Sequence, residues 1–271
     1  SIAKYIPKFP HGLPVLKGLR RYLIENHSKY DIVISSELFT FHSVTAARVC
    51  PGKLIIWQEF GNHHPFAHEI PSRIWHNTIV RFFIKKKVII VPRSTVAQRF
   101  ARRYCDIVSD EIVNNSVNTL IFRFSKDKSN HIVTVSQLIP RKNVYYIIDK
   151  FIKYQKQYNS AIILYIIGDG EEREMLEDHV KSVGATEYII FRGNLHHDKL
   201  SKILATAKGF LCATKQDLNM VAITESIACG TPILTNCVPY QHEMVTNYSL
   251  GIAKDNWDEN DIAELIANNQ T

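Results

Sequence analysis

The sequence predicts an α/β fold built from two doubly wound parallel sheets, of which the first is incomplete. Apolar runs rich in valine, isoleucine and leucine recur along the 271 residues. Most are near-continuous rather than alternating, as expected of strands that are buried on both faces. Segments with helical periodicity lie between these runs, and strands that alternate with helices at this spacing form βαβ units.

The predicted elements follow one another in a regular order. The helix over 143–157 begins at Asn143, a favourable N-cap residue. The helix over 171–184 begins with acidic residues and ends at Gly184, a favourable C-cap, and a third helix is predicted over 197–207. The runs that predict strands lie at 30–36, 53–59, 87–92, 131–137, 161–168, 187–193, 207–214 and 231–236.

The length of the chain suits two domains of ordinary size. The polar segment at 123–130 is the best candidate for a linker, which predicts domains at 1–124 and 125–271. Four or five βα units follow this segment, enough for a complete sheet. Fewer units precede it, and the chain opens with a helix-like segment, so the first sheet is predicted to be incomplete.

Composition and charge narrow the class of protein. Hydrophobic residues make up 45% of the chain, yet no run approaches the roughly 20 apolar residues that span a bilayer. The N-terminus lacks the apolar core of a signal peptide, and the five cysteines have no zinc-ligand spacing, which predicts free thiols in the cytoplasm. The net charge of +7 is concentrated in the first half, which leaves open an anionic partner or a merely soluble basic surface.

The stretch at 215–236 places a carboxylate in an apolar helical segment. The helical neighbours of Glu225 are small or apolar, so its side chain is predicted to face the packed side of the helix, where it needs donors. Asp217 lies in the loop before this helix, and the backbone N–H groups at 218–221 form an anion site. A nucleotide diphosphate fits, with its ribose hydroxyls donating to Glu225. The alternative is an arginine or lysine partner from elsewhere.

Two further turns lie between a predicted strand and a predicted helix. Lys142 stands at the start of a helix, where its ammonium can hold phosphate together with the helix dipole, and Arg141 precedes it. The alternative is a pair of solvated loop cations. The turn Gly168-Asp169-Gly170 is only a fragment of a dinucleotide-binding motif, so we predict a structural or sugar-facing role. No Asp-x-Asp triplet supports a catalytic metal ion.

Two segments of the first half of the chain are candidates for contact with a ligand or a surface. His63, His64 and His68 crowd a loop at a strand end, which favours a substrate-facing loop over an ordinary exposed one. The segment at 72–87 interleaves aromatic and basic residues, which suits an anionic membrane surface, or a helix whose aromatic side packs in the core. No nucleic-acid-binding motif is present.

Together these motifs resemble a known family. Lys142, the glycine turn at 168–170, the Asp217–Glu225 pair and "ESIACGTPILTN" at 225–236 resemble the retaining glycosyltransferases of the GT-B fold, glycosyl transferases group 1 (family 4). The match is specific over about 130–253 and weaker back to about residue 31. The wording "DLNMVAITES" is most similar to bacterial capsule and surface-polysaccharide transferases. The resemblance implies two Rossmann-like domains, the second of which binds the sugar donor.

The resemblance also implies roles for individual residues. Glu225 would hold the ribose, and Asp217 would face the donor sugar as a catalytic residue. Where the family has a diphosphate-binding arginine and a histidine, this sequence has Gln137 and Phe60, with His63 close behind as a catalytic candidate. The remaining expected donor-binding residues are Lys142, Gly168 and the backbone at Asn219, Met220 and Val221.

The expected function is therefore transfer of a sugar from a UDP or GDP sugar to a saccharide or lipid-linked acceptor. We expect no metal and no cofactor. The cysteines predict a cytoplasmic protein, and the segment at 72–87 predicts peripheral contact with the inner face of the membrane. The first strands and the closing helix of the family pattern are not found in the sequence. A non-catalytic module that binds nucleotide sugars is the main alternative, and an epimerase of the same architecture is a weaker one.

Overall fold

The structure is a computed structural model that describes residues 15–61, 65–217 and 219–268. The chain divides into two compact units, Ser1–Asn114 and Asn115–Thr271. Each unit is a parallel sheet with helices in its crossover connections. The predicted α/β class is confirmed, and the sheet of the first unit is the smaller one.

The first unit contains a three-stranded sheet among its described residues. Strands β1 (Val33–Ser36), β2 (Leu54–Gln58) and β3 (Ile89–Pro92) pair in parallel in the order β1-β2-β3. Ile56 and Ile90 are fully buried in its core. The helices are α1 (Leu19–Asn26), α2 (Phe41–Val49), α3 (Ile70–Trp75), a π-helical turn at His76–Val80, α4 (Arg81–Phe83) and α5 (Thr95–Ala101).

The second unit contains a six-stranded parallel sheet in the order β6-β5-β4-β7-β8-β9 among its described residues. Its strands are β4 (His131–Val135), β5 (Ile163–Ile167), β6 (Ile189–Gly193), β7 (Phe210–Cys212), β8 (Ile233–Thr235) and β9 (Gly251–Ala253). The chain winds outward from β4 to β6 and then returns to place β7 beside β4. Doubly wound folds open a ligand crevice at such a switch point, outside the carboxyl ends of the strands.

Helices connect the strands of the second unit. Asn143 precedes the first of them in the left-handed region, with φ 55°, and its side chain makes no capping hydrogen bond. Gly184 follows the second with φ 70°, the left-handed geometry that favours glycine after a helix. The helices are α6 (Val144–Tyr158), α7 (Arg173–Ser182), α8 (His197–Thr206), α9 (Val221–Ala228), α10 (Gln241–Asn247) and α11 (Glu259–Asn268).

The polar segment expected to be a linker packs against the second unit. Phe122 is buried in the core of that unit. The Lys128 ammonium donates to the carbonyls of Ala205 and Gly230, both at 2.9 Å, near the ends of α8 and α9. The observed division at 114/115 therefore precedes the predicted boundary at 124/125, because the intervening residues belong to the second core.

Two simpler features concern the cysteines and the helices. All five cysteines are free thiols, and four of them are buried. Buried thiols of this kind behave as small apolar side chains. Within the three described ranges, no helix combines the length and the apolar character needed to cross a membrane.

Candidate functional site

The switch point brings two loops together at the carboxyl ends of β4 and β7. The Arg141 carbonyl accepts hydrogen bonds from the Thr214 hydroxyl at 3.1 Å and from the Lys215 amide at 2.7 Å. Asn236, which follows β8, donates from Nδ2 to the Thr214 carbonyl at 2.7 Å. The Arg141 carbonyl therefore fixes the loop after β4 against the loop after β7, and both loops carry predicted site residues.

Asp217 is the charged centre of this site. Its carboxylate forms ion pairs with both Lys142 and Arg141 and accepts a hydrogen bond from the Thr214 hydroxyl at 2.9 Å. Burial acts to raise the pKa of Asp217, but the bond and charge of Lys142 and the charge of Arg141 outweigh it, and the pKa is lowered. The carboxylate is therefore ionised at neutral pH, and the cluster carries two positive charges against one negative charge.

The two cations of the cluster differ in burial. The Lys142 side chain is 12% exposed, close to the 15% of Asp217, whereas the Arg141 side chain is 39% exposed. A pair of solvated loop cations therefore does not describe Lys142, whose ammonium is largely removed from water. Arg141 lies on the more open side of the same carboxylate.

Glu225 is buried in α9, as its apolar helical neighbours predicted, with 8% of its surface exposed. Within the part of the chain that the structure describes, its carboxylate has no hydrogen-bond donor and no arginine or lysine partner. Burial raises the pKa of Glu225, and the nearby His197 opposes that shift. A buried carboxylate without donors is unfavourable. The Glu225 oxygens can therefore accept hydrogen bonds from a ligand.

The segment before α9 is held by a side chain that the sequence analysis did not identify. Gln241, buried in α10, accepts from the Met220 amide at 3.2 Å and donates to the Met220 carbonyl at 3.1 Å and to the Asn219 side chain at 2.6 Å. The Met220 amide, predicted to bind sugar or phosphate, therefore already has an acceptor. Val221, the first residue of α9, is exposed.

The predicted donor residues Gly168 and Gln137 lie in neighbouring loops, Gln137 after β4 and Gly168 after β5. Gly168 has φ 131°, and a Cβ there would lie 1.8 Å from the Ser136 carbonyl oxygen. The Leu138 amide also donates to the Asp169 carbonyl at 3.0 Å. The glycine turn thus packs closely against the loop after β4, while Gln137 is exposed.

A second carboxylate, also missed in the sequence, lies at the carboxyl end of β1 in the first unit. Glu37 has φ 69°, and its carboxylate accepts from the amides of Glu59 and Phe60, each at 3.1 Å. Burial raises the pKa of Glu37 to about 7, against the effect of these hydrogen bonds. The signal was available, since Glu37 directly follows the apolar run predicted as the first strand.

The histidine loop of the first unit is described only in part. His63 and His64 lie outside the described residues. Glu59, from the same loop, forms an ion pair with Arg93. Phe60 is buried, where the family pattern has a histidine.

The aromatic and basic segment divides between the core and the surface. Trp75 donates from its indole to the Leu38 carbonyl at 3.0 Å, and Phe83 is half-buried against the core. Phe82 is 70% exposed. Two of the three aromatic side chains therefore pack inward, and Phe82 is the exposed one.

The described ranges contain no group of three or more His, Cys, Asp or Glu side chains placed to hold a metal ion. Metal independence remains a prediction, because it concerns the reaction rather than the protein alone.

The family follows from comparison with known proteins. Residues 118–268, more than half of the chain, match the family model described as glycosyl transferases group 1. The chain belongs to this glycosyltransferase family. The resemblance drawn from the motifs is confirmed, and the matched region contains the whole cluster around Asp217.

Individual relatives are distant. The O-antigen chain mannosyltransferase RfbU of Salmonella typhimurium is 24% identical over 70% of this chain and 54% of its own length. The alpha-monoglucosyldiacylglycerol synthase of Streptococcus pneumoniae is 20% identical over 74% of this chain and 45% of its own length. The glycosyltransferase chain thus spans about half the length of these two curated relatives.

A solved structure supports the fold. The Anabaena protein Alr3699/HepE, crystallised in complex with UDP, superimposes with a TM-score of 0.69 at 14% identity, covering 92% of this chain and 71% of that one. At this identity the likeness concerns the fold alone. It confirms the predicted GT-B class with its Rossmann-like domains, of which this chain covers a part.

Proposed function

We propose that the protein is a retaining glycosyltransferase that moves a sugar from a UDP or GDP sugar to a saccharide or lipid-linked acceptor in surface-polysaccharide synthesis. The observation that carries the proposal is the buried Glu225 carboxylate, which has capacity for the donors that two ribose hydroxyls provide. The names of the relatives favour the same chemistry, since one is an O-antigen mannosyltransferase and another was crystallised with UDP.

The proposed division of labour follows from the charges. Glu225 accepts the ribose hydroxyls, and Lys142 contacts the diphosphate. When the bond between the anomeric carbon and the diphosphate oxygen breaks, negative charge grows on the leaving group and Lys142 stabilises it without a metal. Asp217 is the proposed catalytic residue that faces the donor sugar, and His63, the second catalytic candidate, lies outside the described residues.

Nucleotide binding is the first test. We expect UDP or GDP to raise the melting temperature of the protein in the presence of EDTA, because a ligand that binds the folded state stabilises it. Glu225→Gln should abolish most of this shift, while Glu187→Gln, an exposed glutamate before β6, should keep it. A shift that requires Mg²⁺, or one that survives Glu225→Gln, would contradict the proposed site.

Turnover separates the enzyme from a binding module of the same fold. The complete protein should release free UDP or GDP from one member of a panel of nucleotide sugars when a saccharide or lipid-linked acceptor is present. Binding without release across the panel, with all acceptor classes supplied, would favour the non-catalytic alternative.

We further propose peripheral contact with the anionic inner face of the cell membrane. The exposed apolar side chains Ile70, Ile74 and Phe82 recur along one stretch of helix, and the exposed Arg73 and Arg81 stand beside them. An apolar stripe flanked by basic residues suits the headgroup region of a bilayer with anionic lipids. Lys85 forms an ion pair with Asp106 at 3.5 Å. We therefore expect the neighbouring Lys86 and Lys87 to contact the anionic lipid.

Vesicle sedimentation tests this contact. Binding to phosphatidylglycerol vesicles should weaken as salt rises, since ~0.15 M salt screens charges beyond about 8 Å. Reversal of Arg81, Lys86 and Lys87 to Glu should release the protein. Reversal of three exposed lysines of the second unit should not, these being Lys156, Lys199 and Lys202. Equal binding to neutral and anionic vesicles would refute the proposal.

A further inference from the structure

The first loop of the donor site lacks a cation that the family pattern expects. Gln137 stands at the position of the family's diphosphate-binding arginine, and its side chain is neutral and exposed. We propose that Arg141 supplies the missing charge and contacts the donor diphosphate together with Lys142. This inference rests on the proposed function and deepens it, because it assigns a specific ligand group to Arg141.

The first support is the convergence of two cations on one place. The Arg141 guanidinium and the Lys142 ammonium both form ion pairs with the Asp217 carboxylate. Two cationic groups that contact one carboxylate can both contact a phosphate group bound beside it. The sequence places them on adjacent residues, and the short 3₁₀ turn Pro140–Lys142 directs both toward the end of β7.

The second support is the balance of charge. Asp217 offsets only one of the two positive charges, so the cluster keeps an excess that favours an anion. A diphosphate brings at least two negative charges, and the planar guanidinium can donate two parallel hydrogen bonds to phosphate oxygens. Arg141 is also the more exposed cation, at 39% against 12% for Lys142, and so is more accessible to an entering ligand.

The third support is that the loop does not depend on the Arg141 side chain for its shape. The contacts to Thr214 and Lys215 use the Arg141 backbone carbonyl. Gly168 and Asp169 support the same loop through backbone contacts. Replacement of the guanidinium therefore leaves the anchors of the loop in place, and its effect on binding can be measured in a folded protein.

The opposing interpretation gives Arg141 only the task of neutralising Asp217. That role predicts a change in stability with no preference for the phosphate part of the ligand. Contact with the diphosphate predicts the reverse, a loss that appears with the nucleoside diphosphate and is absent with the nucleoside. The two interpretations therefore differ in a measurable ligand preference.

The experiment measures the dissociation constant of UDP or GDP, whichever gives the larger thermal shift, and of the matching nucleoside on the complete protein. Arg141→Gln should raise the Kd of the diphosphate about tenfold or more, as expected for loss of a charge-assisted contact. The Kd of the nucleoside should not change. Lys215→Gln, which removes an exposed cation from the facing loop, should change either value less than about twofold, as expected for a screened surface charge.

A second variant relocates the charge. Gln137→Arg in the Arg141→Gln background should restore most of the lost affinity, because it returns a guanidinium to the position that the family pattern uses. Restoration would show that the missing charge caused the loss of affinity in the single variant.

Three results would overturn the inference. If Arg141→Gln binds the diphosphate as tightly as the unaltered protein while Lys142→Gln does not, Arg141 has no contact and the proposed function stands. If the nucleoside loses affinity equally, Arg141 only shapes the loop. If neither UDP nor GDP binds the unaltered protein, the proposed function fails and this inference fails with it.

Discussion

Each unit contains a glutamate whose pKa is raised by burial, and the two carboxylates differ in what surrounds them. Glu37 accepts hydrogen bonds from the backbone amides of Glu59 and Phe60. Glu225 has no such donor within the described ranges. The first carboxylate stabilises its own loop, whereas the second leaves capacity for a ligand. Burial alone therefore does not mark a binding group, and the donors around it decide its role.

Removal of the Glu37 carboxylate should give the largest effect. Glu37→Ala leaves the amides of Glu59 and Phe60 without their acceptor, and each such loss is unfavourable by about 1–3 kcal/mol. We expect the free energy of unfolding to fall by about 3 kcal/mol in urea titrations. Glu37→Gln keeps one acceptor oxygen and should lose less. An unchanged midpoint for Glu37→Ala would break the comparison.

The two carboxylates of the second unit should separate in kinetics. Asp217→Asn should lower turnover by about 10²-fold, roughly 2.7 kcal/mol, without weakening donor binding, because Asp217 is proposed to act where charge develops. Glu225→Gln should raise the Michaelis constant more than it lowers turnover, since the ribose does not react. Steady-state kinetics of the complete protein test both. The opposite pattern would mean that the two roles are exchanged.

The pH dependence of the free energy of unfolding should reveal the raised pKa of Glu37. Its folded pKa of about 7 lies above the ordinary 4.5, so the folded state binds the proton more tightly. The stabilisation is present below pH 4.5 and is lost as pH rises toward 7. Between pH 5 and 7.5 we expect a loss of about 2 kcal/mol, which Glu37→Gln should remove. A stability profile identical in the two proteins would contradict this assignment.

The smallest effect should be a gain in stability at Glu225. Its raised pKa means that the charged form destabilises the folded protein as pH rises through that pKa. Glu225→Gln should therefore stabilise the ligand-free protein at pH 8 by about 1 kcal/mol, the opposite sign to Glu37→Ala. Urea titrations without nucleotide check this sign. A destabilised variant would indicate a donor that the described residues do not include.

The sequence predicted the features that depend on local pattern. The apolar runs indicated β4 to β8, since strands buried on both faces need apolar side chains throughout. The burial of Glu225 followed from its helical neighbours. Strand β9, only three residues long, was not predicted, because pairing with β8 rather than its own apolar character places it.

Features that depend on loop packing could not be predicted. The ion pair between Arg141 and Asp217 joins residues 76 positions apart, and it exists because the loops after β4 and β7 meet at the switch point. The bonds between Gln241 and Met220 likewise join separate parts of the chain, because α10 packs against the segment before α9. The position of Glu37 after an apolar run is visible in the sequence, whereas its left-handed backbone depends on contacts with the end of β2 and the residues that follow it.

The contacts of Lys128 determine where a fragment of the second unit should begin. One ammonium group holds the carbonyls of Ala205 and Gly230, and the nearby Phe122 fills the core. A fragment that starts after the polar segment at 123–130 would contain the whole six-stranded sheet but would lack the side chains of Lys128 and Phe122. A start at residue 115 retains them. A fragment of the second unit should therefore begin at residue 115, where the two units divide, and should include the polar segment at 123–130.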